Sequence, residues 1–364
     1  MENNNKSKVN LSRRKFLGNT AAIAAFSMLP VNLIVKSTSE VKSASVANPN
    51  SNFGGVQMGA ITYSWRSMPG GVENVIKYCT EAGISSIELM SNDVEDFLGA
   101  PKNPMMAMFA PPPKPAAAPA PNAAITPAAA PAPAGPPQRR ELTQEQKDAI
   151  AKYNLEMKAW RIALPISKFE DVRKMFDKAG IKIHIIKFSP ARWSDEEIDY
   201  AFKAAKALGA KGVTEEIGMD AVKKLAPFAE KHGLYAIFHN HMQFATPGFN
   251  YDDFMAVSPA VMFNFDGGHF FGSTGIHPNT IIEKYHDRIV SIHMKDKTGP
   301  KTNPSNENQV WGQGESPVAD ILLLIKQKGW PIHCDIELEY DVKPWSNAVK
   351  ETKTCVNYAR QILM

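Results

Sequence analysis

Two periods of apolar residues alternate along this chain. Short apolar runs lie at 59–65, 84–90, 181–188, 212–216, 234–241, 261–266, 289–295 and 332–340. Runs of this length, bounded by Gly or Pro, read as buried strands. Between them, apolar residues recur at helical spacing over 72–82, 142–164, 169–179, 194–208, 219–232, 279–285, 318–328 and 346–363. In 72–82, for example, Val75, Ile76 and Cys79 share one face and Gly83 stops the helix. Ser194-Asp-Glu-Glu is a capping sequence at the start of 194–208. The Ala-Gly-Ile, Leu-Gly-Ala, His-Gly-Leu and Lys-Gly-Trp junctions are helix stops that feed strands. Eight strand–helix units in this order predict an α/β fold, a (β/α)8 TIM barrel. A doubly wound sheet is the alternative, but it brings the ends of strands five to eight around one centre less readily.

Two segments break this rhythm. Residues 99–141 are dominated by Ala and Pro, which form neither a packed helix nor a ladder strand. They read as an insertion after the second strand, on the face where barrels carry their chemistry: a lid, a tether or a tolerated loop. At the N-terminus, Ser12-Arg13-Arg14-Lys15-Phe16-Leu17 precedes a weakly apolar stretch over 21–35. This resembles a twin-arginine export signal. Pro30 and Asn32 make the stretch too weak for a stable membrane span, and Ser45-Val46-Ala47 offers a small-x-small cleavage site. The expected organisation is a signal over 1–47, a linker over 48–55, and one catalytic domain over 56–364. The expected location is the periplasm.

Composition narrows the partners. The 364 residues are 44% hydrophobic, enough for a large core, and the net charge is only +4, partly in the tail. Nothing resembles a basic nucleic-acid stripe, so no nucleic-acid partner is expected. Cys79, Cys334 and Cys355 are odd in number and lack CxxC spacing, so they are expected as free buried thiols. Nothing in the sequence speaks to the oligomeric state.

Candidate chemistry clusters at the ends of strands. His239-Asn240-His241, Asp266-Gly-Gly-His269, His293-Met-Lys295-Asp296 and Glu337-Leu-Glu339 close strands five to eight. Such ends converge on one mouth of a barrel. Mixed carboxylate and imidazole groups suit a divalent ion: Mn, Mg, Co or Zn. Asp266, His293 and Glu337 are the expected ligands. For a fourth, strand five offers His239, which shares a face with His241 by the strand period. Strand four ends in Glu215-Glu216, which point opposite ways, so one of the two should enter the mouth. Each residue taken singly is as well explained as a solvated loop group. Their joint placement at strand ends is not.

The series His-Asn-His, Asp-x-Gly-His, His-x-Lys-Asp, Gly-x-Gly and Ile-Glu-x-Glu resembles the xylose-isomerase-like barrels, the sugar phosphate isomerase/epimerase superfamily, over roughly 56–364. The resemblance implies four strand-end ligands in the order Glu, Asp, His, Glu. Asp266, His293 and Glu337 match the last three. The strand-five glutamate is absent, and His239 stands in its place, so His239 and Glu216 compete for the first role.

Supporting roles follow. A tight turn at Gly267-Gly268 would bring His269 beside Asp266 as a substrate contact. Lys295 is placed to stabilise an enolate, with an ion pair to Asp296 or Glu315 as the alternative. Trp311, in a Trp-Gly-Gln-Gly loop, is a stacking candidate, while Arg161 and Glu339 are candidate substrate contacts. Glu216 and His241 are candidate catalytic groups. His184, in the middle of strand three, reads as core.

A divalent ion with an open position polarises a carbonyl, and a nearby base removes the adjoining proton. Reprotonation gives isomerisation or epimerisation, and loss of a β-leaving group gives a lyase. Phosphorylated sugars are cytoplasmic, so the export signal favours an unphosphorylated small carbohydrate. Exported barrels of the superfamily resemble enzymes acting on 3-keto-glycosides, so a 3-keto-glycoside lyase or hydratase is the leading expectation. The alternatives are an isomerase or epimerase of an unphosphorylated sugar, a non-catalytic carbohydrate-binding barrel, and an endonuclease. The weak charge and the export signal oppose the last.

Overall fold

The computed structural model describes residues 48–104 and 142–364. Residues 1–47, expected from the sequence to be an export signal, and most of the Ala/Pro-rich insertion lie outside the described residues.

Eight parallel strands close into a barrel. They are β1 (Val56–Ile61), β2 (Ser86–Met90), β3 (Lys182–Lys187), β4 (Gly212–Glu216), β5 (Tyr235–His239), β6 (Val261–Asp266), β7 (Ile289–Met294) and β8 (His333–Ile336). Each pairs with the next in sequence, and β8 returns to pair with β1 through Cys334↔Met58 and Asp335↔Gly59. The helices between them are α1 (Val72–Ala82), α2 (Ser91–Phe97), α3 (Gln144–Ala163), α4 (Ser167–Lys178), α5 (Asp195–Leu208), α6 (Met219–His232), α7 (Asp252–Met255), α8 (Gly267–Thr274), α9 (Asn279–Tyr285), α10 (Val318–Lys328) and α11 (Ala348–Leu363). Among the described residues no helix is long and apolar enough to cross a membrane.

Local sequence explains the boundaries. Ser194 and Glu197 form a reciprocal capping box at the start of α5, and Thr143 with Gln146 does the same for α3. The helices stop where the Gly junctions lie. The core packs apolar strand and helix faces together, with Tyr251 stacked 3.6 Å from Phe263 as its closest ring pair. The three cysteines are buried and free, as expected.

Four departures from the sequence pattern matter. The run 59–65 is strand only to Ile61, after which Thr62–Trp65 turn as a 3-10 helix. The run 332–340 is strand only to Ile336, so Glu337 and Glu339 project from the chain just beyond β8. Gly267 and Gly268 open α8 instead of forming an isolated turn. Residues 48–55, expected as linker, include Asn52–Phe53, which pair antiparallel with β1, and a fully buried Ser51 whose hydroxyl donates to Met58 O at 2.6 Å.

Candidate metal centre

Strand periodicity supplies the site. Side chains two apart face the same way, so Thr214/Glu216, Asn264/Asp266, Ser291/His293/Lys295 and Asp335/Glu337/Glu339 form layers toward one end. Toward that end His239, Asp266, His293 and Glu337 offer ligand atoms all within 4.8 Å of one another, and all four residues are buried. Glu216 belongs to an adjoining group with His239 and His241. The geometry therefore sets His239, not Glu216, beside the other three.

Asp266 has two tasks. Its Oδ1 accepts the His269 N–H at 2.7 Å and caps α8. Its Oδ2 faces inward, 3.4 Å from His239 Nε2 and 2.8 Å from Lys295 Nζ. Asn240 fixes the backbone at this point. Its Oδ1 accepts from Asp266 N at 3.0 Å and from the Tyr251 hydroxyl at 2.7 Å. That is the work of the asparagine between the two histidines.

Each imidazole in the group has one nitrogen toward the centre and one held by a carboxylate. His239 presents Nε2 to Asp266, while Nδ1 lies 3.2 Å from Glu216 Oε2. His293 presents Nδ1 toward Glu337, and its Nε2 lies 2.6 Å from Glu88 Oε2. Glu88 in turn accepts from Thr214 Oγ1 at 2.8 Å and from Asn264 Nδ2 at 2.7 Å. Burial would raise the Glu88 pKa, but the charge and hydrogen bond of His293 outweigh it and lower it to about 2. Burial would lower that of His293, but Glu337 and Glu88 hold it well above its ordinary value.

Lys295 is completely enclosed by acids. Its Nζ lies 2.8 Å from Asp266 Oδ2, 2.9 Å from Glu337 Oε2 and 2.7 Å from Glu339 Oε2. Those charges outweigh its burial and raise its pKa far above the ordinary range. Neither Asp296 nor Glu315 is its partner. Asp296 instead accepts N–H groups from Gly312 at 2.8 Å, Gly314 at 2.9 Å and Ser316 at 3.1 Å, anchoring the Trp-Gly-Gln-Gly loop.

The mouth is formed by Glu216, His241, His269 and Glu339. Glu216 Oε2 lies 3.2 Å from His241 Nδ1, and its Oε1 accepts from Lys187 Nζ at 2.5 Å. Burial would raise the Glu216 pKa, but hydrogen bonds from His239 and His241 and the Lys187 charge hold it far below the carboxylate range. His241 lies beyond the end of β5 with 47% of its side chain exposed. Glu216 holds its pKa above the ordinary value despite partial burial. His269 is 3.4 Å from Glu339 Oε2, and both of its ring nitrogens are buried without a hydrogen bond.

Two expected contacts lie elsewhere. Arg161 spends its guanidinium on Glu95 at 2.9 Å and Glu197 at 3.0 Å and stacks 3.5 Å over Trp193. It is a strut joining α3 to α2 and α5, with each of its three nitrogens bonded to one of these two carboxylates. Trp311 is 6% exposed and packs edge-on against Tyr358 of α11, so it offers no platform for a sugar ring. Sequence reasoning gave no role to Glu88 or Asn240. A carboxylate inside the apolar run 84–90 was the available signal for the first.

A cation fits these residues. His293 Nδ1 and Glu337 Oε2 lie 2.7 Å apart, yet both are buried without hydrogen-bond geometry to any partner. Five carboxylates, Glu88, Glu216, Asp266, Glu337 and Glu339, outnumber the two ammonium groups of Lys187 and Lys295. Two backed imidazoles and two carboxylates are a donor set for a divalent transition ion.

Comparison with known proteins gives the same architecture. Residues 141–358 match the family model described as xylose isomerase-like TIM barrel. No curated protein matches the chain in sequence. Among solved structures, a xylose isomerase domain protein from Alicyclobacillus acidocaldarius superposes with a TM-score of 0.54 at 11% identity, over 85% of this chain and 98% of that one. A probable 3-DHS dehydratase involved in petrobactin synthesis from Bacillus anthracis gives 0.52 at 12% identity, over 83% and 98%. A xylose isomerase domain protein from Planctomyces limnophilus gives 0.51 at 13%, over 84% and 96%. At these identities the likeness is one of fold.

Proposed function

The chain belongs to the xylose isomerase-like TIM-barrel family, and from that premise we propose that it is a divalent-cation-dependent enzyme that removes the proton beside a sugar carbonyl, acting as a 3-keto-glycoside lyase or hydratase. The observation that carries this reading is the convergence of His239, Asp266, His293 and Glu337 with a half-exposed histidine and an enclosed lysine beside them. His239, Asp266, His293 and Glu337 would hold the cation. When bound, it supplies Lewis-acid polarisation of the carbonyl, which acidifies the neighbouring C–H.

The chain's own groups do the rest. His241 stands at the mouth, with Nδ1 on Glu216 and its other nitrogen available, and takes the C2 proton. Glu216 orients that ring and stabilises it once protonated. Lys295, with its three N–H groups turned to Asp266, Glu337 and Glu339, holds those carboxylates in place and offsets their charge. The C2–H and C1–O bonds break, a C1=C2 bond forms, and the aglycone leaves with a proton as an alcohol. Addition of water across C1=C2 completes the hydratase reaction.

Purified protein loaded with Mn²⁺ and given p-nitrophenyl 3-keto-glucoside is expected to release p-nitrophenol, and His241→Asn to release it at least tenfold more slowly. Epimerisation of a free ketose without aglycone release would overturn the lyase reading. Export belongs to the same proposal. Replacing Arg13 and Arg14 by Lys is expected to retain the protein in the cytoplasm, and unchanged fractionation would remove the periplasmic assignment.

A further inference from the structure

Beside the metal centre is a cavity that shares only Glu339 with the residues assigned to that centre. Its volume is about 460 Å³, within the range of ligand pockets, ~300–1,000 Å³. Its lining includes Glu307, Gln309, Gln313, Glu339, Asp341 and Lys343. Glu339 belongs to both places, since its Oε2 is 2.7 Å from Lys295 Nζ and 3.4 Å from His269 Nε2. The cavity therefore adjoins the reacting centre through one shared carboxylate.

The wall made by residues 307–313 is built, not incidental. Asn308 and Gln309 pair antiparallel with Lys297 and Asp296. Asn308 Oδ1 accepts from Lys297 Nζ at 2.7 Å, and Glu307 N donates to Thr298 Oγ1 at 2.9 Å. The Asp296 carboxylate clamps the far end of the loop at Gly312 and Gly314. The opposite wall follows β8, where Tyr340 is pinned through its hydroxyl to Glu351 at 2.9 Å.

The lining is acceptor-rich. Glu307, Glu339 and Asp341 accept only, and the amides of Gln309 and Gln313 both donate and accept. Hydroxyl groups, each a donor and an acceptor, satisfy such a lining. An anionic group does not, because three carboxylates face a single ammonium, that of Lys343. Resting on the lyase reading of the adjoining centre, we propose that this cavity is a subsite for a neutral second sugar ring. The substrate is then a disaccharide-like glycoside whose leaving group is itself a sugar, and Gln309 and Gln313 select it.

Two experiments separate this proposal from the reading it rests on. The first needs no reaction. Binding of glucose, cellobiose, lactose and trehalose to the Mn²⁺-loaded protein is measured by calorimetry and saturation-transfer NMR, for the wild type and for the Gln309→Ala/Gln313→Ala variant. At least one disaccharide is expected to bind about tenfold more tightly than glucose, and the variant to lose that margin while keeping its glucose affinity and its thermal midpoint. No disaccharide binding better than glucose, or an undiminished margin in the variant, overturns the subsite. The second compares 3-keto-disaccharides with methyl 3-keto-glucoside as substrates. Loss of kcat/KM for the disaccharide alone in the variant supports the subsite, and equal loss for both overturns it. Absence of release from either substrate sinks the lyase reading and leaves the outcome of the binding experiment to decide the subsite.

Discussion

His293 Nε2 lies 2.6 Å from Glu88 Oε2, a contact between β7 and β2 across the barrel interior. It leaves His293 Nδ1 turned toward Asp266 and Glu337. A carboxylate behind a metal-binding imidazole fixes its tautomer and its ring plane, and losing one costs ~10–100-fold in affinity. Glu88→Gln keeps the volume and removes the charge. Mn²⁺ affinity measured by calorimetry is expected to fall about tenfold or more, and the thermal midpoint of the cation-free protein to fall as well, because the buried His293 loses a paired charge. Unaltered affinity would mean that His293 does not coordinate through Nδ1.

Arg161 gives the opposite expectation. It links Glu95 and Glu197, and Glu95 also accepts from the Tyr200 hydroxyl at 3.1 Å. Removing one partner of a buried charged group strands the other, at ~3–5 kcal/mol. Arg161→Met is expected to lose about 3 kcal/mol in urea unfolding, while the KM of the folded fraction stays within about twofold. A raised KM at unchanged stability would restore Arg161 to the substrate site.

These two residues show what was legible in the sequence and what was not. The period of apolar residues is a backbone property, so the eight strands and most helices could be read from it. Strand ends place side chains on one mouth, so His239, Asp266, His293 and Glu337 could be grouped before any coordinates. Partner identity is not written in period. Arg161 has the look of a substrate contact until Glu95 and Glu197 are seen to hold it. Trp311 sits in a glycine loop, the usual setting of a stacking residue, but that loop is pulled inward by Asp296 and buries the ring on α11. Glu88 was hidden because its neighbours are apolar, and its partner is distant in sequence. The strand period also set His241 beside His239. The structure reaches the same grouping by another route, since β5 has already ended and Glu216 gathers both rings.

Gly268 is a steric requirement of the centre. A Cβ there would stand 2.5 Å from Lys295 Cβ and 3.1 Å from Lys295 O, so α8 meets the end of β7 only without a side chain. Overpacking of this kind costs ~1–3 kcal/mol. Gly268→Ala is expected to lower stability by about that amount. It also weakens Mn²⁺ binding, because the shift displaces both Lys295 and the helix that Asp266 caps. Full stability with full affinity would show that the junction has slack.

His333 lies at the other end of the barrel and sets a dependence on acid. Its ring stacks on His184 at 4.0 Å, its Nδ1 is 3.0 Å from Ser86 Oγ, and His184 Nε2 is 2.8 Å from Asp335 Oδ2. Burial, the adjacent His184 and Lys211 lower the His333 pKa from 6.5 to about 2, against the pull of Asp335. Between those values the unfolded chain binds a proton that the folded protein refuses, so stability falls as pH drops below about 6.5. One proton corresponds to at most about 1.4 kcal/mol per pH unit. His333→Gln removes this proton from both states. The slope of unfolding free energy against pH between about 6 and 5 is therefore expected to be shallower in the variant, by up to that amount, while the carboxylate contributions shared by both proteins cancel in the difference. Parallel slopes would mean that His333 titrates alike in the folded and unfolded chains.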